Sequence, residues 1–504
     1  MHSSIHSAFF DFIFLLRTMA GEYLRSRGID INAEMSRVQH EGLVTDAHGK
    51  GSERRTSPAP TAAETFSNVS LPRTPAGSRW DVSVANGQIS GISTHNPDIR
   101  GSAGSTQVDG CGALLAPSLC HPHVHIDKAY LLSHPKYAHL QVEKGDFEEA
   151  MTLTGTAKKD FEERDLLERG QRVIDESVAA GVTHMRAFVE VDAVVGTKCL
   201  DAGIKLKRQA EEAGKCIVQL CAYAQLPLFT SSPGDKSGSV IRGLILEAAR
   251  RPEVDVVGST PYVEADRQKA KENIEWVVDL SIRTGTHLDF HLDYHLDRDN
   301  KPTVWHVIRT LKEEEFSRRA KKSTVVLGHC TRLTLLDPKE WRRLKKEIGG
   351  LPISFVGLPT SDMFMMRTPD RTRGTLDVPA MVKDHGLNAC IGINNIGNAF
   401  TPYGSCDPLT LACNVVGLYQ AGTAQDTELL YECVSSRARR AIGLGGAEAS
   451  LLELNVGDDA SLVLFGSERH DWRTRRSVPE VVYLYDHCRN RTAYLRGICT
   501  TRDD

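Results

Sequence analysis

Apolar and polar positions change their period along this chain. Between residues 116 and 394, short apolar runs of strand type alternate with longer stretches in which apolar residues recur every three or four positions. Eight runs of the first kind occur, at residues 116–127, 183–191, 216–224, 254–263, 286–293, 324–330, 353–359 and 388–394. Helical spacing fills most of the gaps, as in residues 165–180 and 269–283. Eight alternating units predict an α/β fold, a closed (β/α)8 TIM barrel. The charged segment 312–322 fits the solvated face of one of its helices.

The flanks follow other patterns. Residues 1–65 begin amphipathic and pass into a Ser/Arg/Pro/Ala-rich stretch, 51–63, almost without large apolar residues, which predicts an N-terminal extension and linker. Residues 80–92 alternate around Asn86-Gly87, a pair that favours a tight hairpin turn. After a helical region at 428–444, strand-like runs return at 460–465 and 481–485 and are expected to pair with that hairpin. The expected organisation is therefore an extension (1–65), a barrel (116–445), and a small composite β-sandwich built from 66–115 and 446–504.

Composition narrows the function classes. With 504 residues, 40% hydrophobic and 25% charged, the chain has room for one large enzyme-like domain and a smaller one. A net charge of −4 provides no basic field for a nucleic-acid backbone. The 12 cysteines include no Cys-x-x-Cys pair, which argues against a zinc knuckle or a thioredoxin-like centre and for reduced thiols. The apolar run 8–16 is short, contains Asp11 and has no basic residue before it, unlike a signal peptide or membrane span. A cytoplasmic protein without a membrane partner is expected.

Candidate chemistry lies at the strand ends, where barrels of this type place their functional groups. The first strand carries Pro122-His123-Val124-His125-Ile126-Asp127, and the period of two puts both imidazoles on one face. The fifth ends in His291 and Asp293, the sixth in His329, the eighth in Asn394 and Asn395. Histidines from several strands of one mouth can converge on an ion. The fourth strand has no lysine that could bridge two ions, so one metal is expected rather than two. His-Leu-Asp recurs at 287, 291 and 295; with odd positions sharing a face, His291 is the expected ligand and Asp293 lies on its side.

These residues resemble the amidohydrolase superfamily, and within it the mononuclear cytosine deaminase branch that includes triazine amidohydrolases. The resemblance spans about 116–444. Gly181-Val-Thr-His-Met-Arg186 is similar to that branch's second strand, and Val218-Gln-Leu-Cys-Ala-Tyr-Ala-Gln225 to its third, with Gln225 at a substrate-binding glutamine. Asp255-Val-Val-Gly258 and Gly328-His329 match the fourth and sixth. The resemblance implies metal ligation by His123, His125 and His291, with His329 contacting the metal-bound water or substrate. It also implies flanking β segments joined as a sandwich.

Two departures bear on mechanism. The segment from Gly392 to Gly404 is similar to the eighth-strand segment of cytosine deaminase, yet both aspartates expected there are Asn394 and Asn395. The glutamate expected three residues after His291 is Tyr294. An amide is a poor metal ligand and no base at neutral pH. A zinc ion on three neutral histidines still lowers the pKa of water to about 7. Asp293 ranks first as proton carrier, then His329, with Tyr294 as a donor; Asp293 as a mere orienter of an imidazole stands beside this. Gln225, Asn394 and Asn395 are expected to hydrogen-bond a neutral polar substrate.

The expectation is a metal-dependent hydrolase acting on a C–N bond, by deamination or amide hydrolysis, of a small cyclic nitrogen-containing substrate. Its cofactor would be one divalent ion, Zn2+ first and Fe2+ second, its partner a small molecule; a homo-oligomer is left open. The alternatives are a binding protein or pseudoenzyme on the same barrel, and a metal-dependent barrel enzyme whose step is not hydrolytic.

Overall fold

The computed structural model describes residues 64–98, 106–229, 238–368, 373–445, 451–466, 472–485 and 491–501. The expected N-terminal extension lies almost wholly outside them.

Eight parallel strands form the predicted sheet, hydrogen-bonded in chain order: Leu119–His125, Val182–Glu190, Ile217–Ala224, Val254–Ser259, His287–Leu292, Val325–His329, Ile353–Gly357 and Ala389–Ile391. Nearly every position in them is buried, because helices cover the outside and side chains fill the inside. Closure falls to Asn394. Its N–H donates to the His123 carbonyl (3.1 Å), and its own carbonyl accepts from the His125 N–H (2.9 Å). A residue predicted for its chemistry thus also joins the eighth strand to the first.

The helices form where the period predicts. Glu163–Ala179 opens on a capping box between Glu162 and Asp165 and buries Leu166, Val173, Ile174 and Val178, spaced along one face. Arg267–Thr284 starts on the Asp266 cap and stops at Gly285, whose φ of +72° ends the helix. The segment 312–322 is helical only in part. Val304–Glu313 terminates inside it, and Glu315, at φ +49°, separates it from the short helix Phe316–Arg319.

Two four-stranded sheets flank the barrel. One contains Thr65–Val69, Trp80–Ala85, Gln88–Thr94 and Gln107–Asp109; Asn86 and Gly87 turn the hairpin at positive φ. The other contains Leu115–Pro117, Leu462–Phe465, Arg491–Leu495 and Ile498–Cys499. The two flanks pair through Leu115–Pro117 and Leu462–Phe465, which run antiparallel, whereas the hairpin 80–94, expected to pair with the C-terminal strands, meets them chiefly by packing. Phe66, Val82, Ile89, Leu115, Leu462 and Tyr494 make one core, while isolated bridges such as Gln88 to Asp459 cross between elements. The strand expected at 481–485 is instead part of a helix, Val478–Tyr483. Ser477 and Glu480 form its capping box, Pro479 occupies its first turn, and Val478, Val481 and Val482 bury together at helical spacing. Among the described residues, no helix is long and apolar enough to cross a membrane.

Gly258 marks a tight contact inside the barrel wall. A Cβ there would stand 2.6 Å from the Asp289 backbone carbonyl oxygen, which cannot swing aside. Gly258→Ala is expected to cost about 1–3 kcal/mol in a urea melt. His287, at the start of the fifth strand, accepts the Thr324 N–H on Nδ1 (2.9 Å), and burial pushes its pKa down to about 4. The folded protein therefore binds fewer protons than the unfolded chain below about pH 6.5, and stability is lost as pH falls from there toward 4. Thermal melts at pH 7, 6 and 5 should show that decline, and His287→Gln should flatten it.

Candidate metal centre

The first strand delivers His123 and His125 to the barrel mouth, and the fifth delivers His291. Their Nε2 atoms converge: His291 lies 3.1 Å from His123 and 3.0 Å from His125. A zinc ion about 2.0–2.1 Å from each of three tetrahedral nitrogens would separate them by about 3.3 Å. The observed triangle suits one ion. Burial pushes all three imidazoles well below their ordinary pKa, so each is in the neutral form that donates a lone pair. Aromatic walls hold the rings: Phe188 packs on His123 at 4.1 Å between centroids and Tyr223 on His291 at 4.3 Å. Asp289, two residues before His291, points inward as alternation requires. It stands 4.0 Å from His123 Nδ1 and is paired with Arg186 at 2.7 Å.

A narrow cavity opens beside the triangle, with His125 and His291 in its lining. Phe147, Tyr262, Tyr294 and Phe400 give it aromatic walls. Its polar side carries Lys128, Gln225, His329, Ser361, Asn394 and Asn395. Gln225, Asn394 and Asn395, expected to face a substrate, thus lie together with the histidines. Asn394 Nδ2 donates to Ser361 Oγ (2.8 Å), while its buried Oδ1 has no partner among the described residues. Asn395 Oδ1 accepts from Asn398 Nδ2 (2.9 Å).

Asp293 does not share the face of His291. The strand ends at Leu292 and Asp293 turns to φ +48°, which breaks the alternation. Its carboxylate is engaged elsewhere, accepting from Thr303 N–H and Oγ1–H (both 2.7 Å) and Val304 N–H (3.0 Å) at the start of the next helix. That position orients the helix and engages the carboxylate there rather than on the strand face that carries His291. Tyr294 lines the cavity, but its hydroxyl is turned toward the Ser361 carbonyl at 3.5 Å, and burial drives its pKa well above the usual value. Its ring lies 4.0 Å from that of His329. Tyr294 is thus a platform for His329 rather than a ready donor.

Three polar groups of this site escaped the sequence pattern. Lys128 immediately follows the His-x-His-x-Asp motif, and its Nζ donates to Glu190 (2.8 Å) and Gln225 (3.3 Å) and lies 5.1 Å from the Phe400 ring. Burial alone would raise the Glu190 carboxyl, but Lys128 and Lys158 outweigh it and hold the pKa down to about 2. Charged residues ending buried strands were the available signal for both. Asp362, in the helix Pro359–Met365 after the seventh strand, had no such signal; its Oδ1 lies 2.8 Å from His329 Nδ1.

Comparison with known proteins agrees with this fold. N-isopropylammelide isopropyl amidohydrolase of Pseudomonas sp. (strain ADP) is 23% identical over 377 residues, 73% of this chain and 83% of that protein. The crystal structure of 5-methylcytosine deaminase from Klebsiella pneumoniae superposes with a TM-score of 0.73 at 21% identity, covering 87% of this chain and 98% of that one. N-isopropylammelide isopropylaminohydrolase from Burkholderia multivorans superposes with a TM-score of 0.67 at 18% identity and the same coverage. At these identities the structural likeness speaks for the fold. The pattern of the amidohydrolase family matches residues 114–485, most of the chain and all eight barrel strands, and the protein belongs to that family.

Proposed function

We propose that this protein hydrolyses a C–N bond of a small, flat nitrogen-containing ring, releasing ammonia or an amine. The observation that carries this is the three-histidine triangle, two of whose members, His125 and His291, line an aromatic-walled cavity with a fourth histidine, His329, in the same lining. The named relatives act on 5-methylcytosine and N-isopropylammelide, and a ring of that kind is the substrate class inferred here. His123, His125 and His291 would hold one divalent ion, zinc first and iron second, since neutral imidazoles suit both. Such an ion supplies Lewis-acid polarisation and lowers the pKa of water.

The remaining steps belong to the side chains. Phe400 and Tyr262 sandwich the ring, while Gln225, Lys128 and Asn395 meet its oxygen and nitrogen atoms. Water oxygen bonds to the ring carbon, and one of its protons passes to His329 Nε2. As the C–N bond breaks, that proton moves to the departing nitrogen. Asn394 Oδ1 accepts from an N–H of the substrate or from the water, since an amide cannot take the proton itself.

The test is turnover by the zinc-loaded protein of a panel of aminopyrimidines, aminotriazines and cyclic amides. Product mass and ammonia release are measured together. Exchange of NH2 or NHR for OH, or addition of water, supports the proposal; a fully metal-loaded protein that converts no panel compound overturns it. Asn394 in place of an aspartate favours a second reading, a barrel that binds its ligand unchanged. A panel compound that binds the loaded protein and is recovered intact would establish that reading.

A further inference from the structure

We propose that Asp362 is a positioning residue that holds His329 in the tautomer able to accept a proton, so that this pair replaces the carboxylate absent from position 394. The inference rests on the hydrolase reading above. Asp362 is fully buried, and His329 is its ion-pair partner among the described residues, with Nδ1 and Oδ1 2.8 Å apart. The other oxygen, Oδ2, accepts from Thr375 Oγ1–H (2.7 Å) and lies 3.4 Å from the Leu358 N–H. An ionised carboxylate has nothing to donate. The proton between the two groups therefore sits on His329 Nδ1, and Nε2 is left with its lone pair on the cavity side.

The surroundings fix that orientation. Tyr294 covers one face of the imidazole at 4.0 Å, so the ring cannot swing away from Asp362. When Nε2 takes a proton, the imidazolium is stabilised by a carboxylate already in place, whose charge no lysine or arginine neutralises among the described ion pairs.

The place of Asp362 in the fold ties it to the substituted residue. Ser361, its chain neighbour, accepts the hydrogen bond from Asn394 Nδ2 (2.8 Å). The lost carboxylate and Asp362 thus border the same corner of the mouth, one just after the eighth strand and one after the seventh. Asn394 cannot accept a proton, and Asp293 is committed to its helix. Glu190 is held by two lysines. His329 with Asp362 is the base that remains beside the cavity.

The experiment measures the His329 tautomer directly in the full-length, zinc-loaded protein carrying imidazole-15N histidine, with His329→Gln to assign its signals. The expected result is a proton on Nδ1 and a bare Nε2. In Asp362→Asn, the amide oxygen keeps the Leu358 N–H and Thr375 hydroxyl, which turns the NH2 toward His329. The imidazole must then accept on Nδ1 and carry its proton on Nε2, with zinc content unchanged. For the panel compound that is turned over, kcat should fall about 100-fold or more while KM stays within about threefold. A parent protein whose His329 carries its proton on Nε2 overturns the proposal even if the variant fails to fold. So does a folded Asp362→Asn with the parental kcat. The expected tautomer without turnover of any compound overturns the hydrolase reading instead, and with it the catalytic purpose of the hold.

Discussion

His291→Ala is expected to abolish stoichiometric metal binding, taking the content from about one ion per chain to a small fraction of that by elemental analysis. His291 Nε2 is within 3.1 Å of both other donors, so its loss leaves a two-histidine site. His123 and His125 cannot compensate, because they come from one strand and approach the ion from one side. Turnover should fall with the metal, about 1,000-fold or more. His329→Gln gives the contrast. That side chain lies outside the triangle and is hydrogen-bonded to Asp362, so its loss should leave metal content near parental while turnover drops about 100-fold or more. Equal metal loss in the two variants would show that four histidines, not three, make the site.

Breaking the Arg186–Asp289 pair should produce the largest loss of stability. Both side chains are fully buried at 2.7 Å, and Arg186 also donates to Gln219 Oε1 (2.7 Å) and the Ile442 carbonyl (3.2 Å). Arg186→Leu leaves the Asp289 carboxylate and the Gln219 amide oxygen in the barrel interior without their donor, while the Ile442 carbonyl keeps Gln219 Nε2 (3.0 Å), at an expected cost of about 3–5 kcal/mol in the urea midpoint. Asp289→Asn tests the other end. Its Oδ1 faces His123 Nδ1 at 4.0 Å, behind an imidazole proposed here as a metal ligand. Metal affinity should weaken about 10- to 100-fold, measured by competition with a chelator. An unchanged affinity would confine Asp289 to a structural role.

The barrel was legible because its information is periodic. Strand and helix alternate with apolar spacing that survives without any long-range knowledge, and the eight predicted runs match the eight strands to within a few residues at most ends. The failures fall where periodicity stops. At Val478–Tyr483 three valines look like a strand, but the capping residues around them make a helix. At Asp293 parity predicted an inward carboxylate, and one residue at positive φ sent it to a neighbouring helix. Parity holds only while the strand does.

The sequence by itself determined the barrel and the donor types at its mouth, and the family resemblance carried by its motifs marked the residues expected at the metal and the substitution at Asn394. It could do so because alternation within one strand is local, and His123 and His125 are one residue apart. The tertiary structure decided which carboxylate serves His329. Asp362 is 33 residues away in sequence, in the helix after another strand, and no local pattern encodes a 2.8 Å contact between them. It likewise brought Lys128 against Glu190 across 62 residues. Such pairs depend on how neighbouring strands stagger around the barrel, a property of the closed sheet rather than of any one segment.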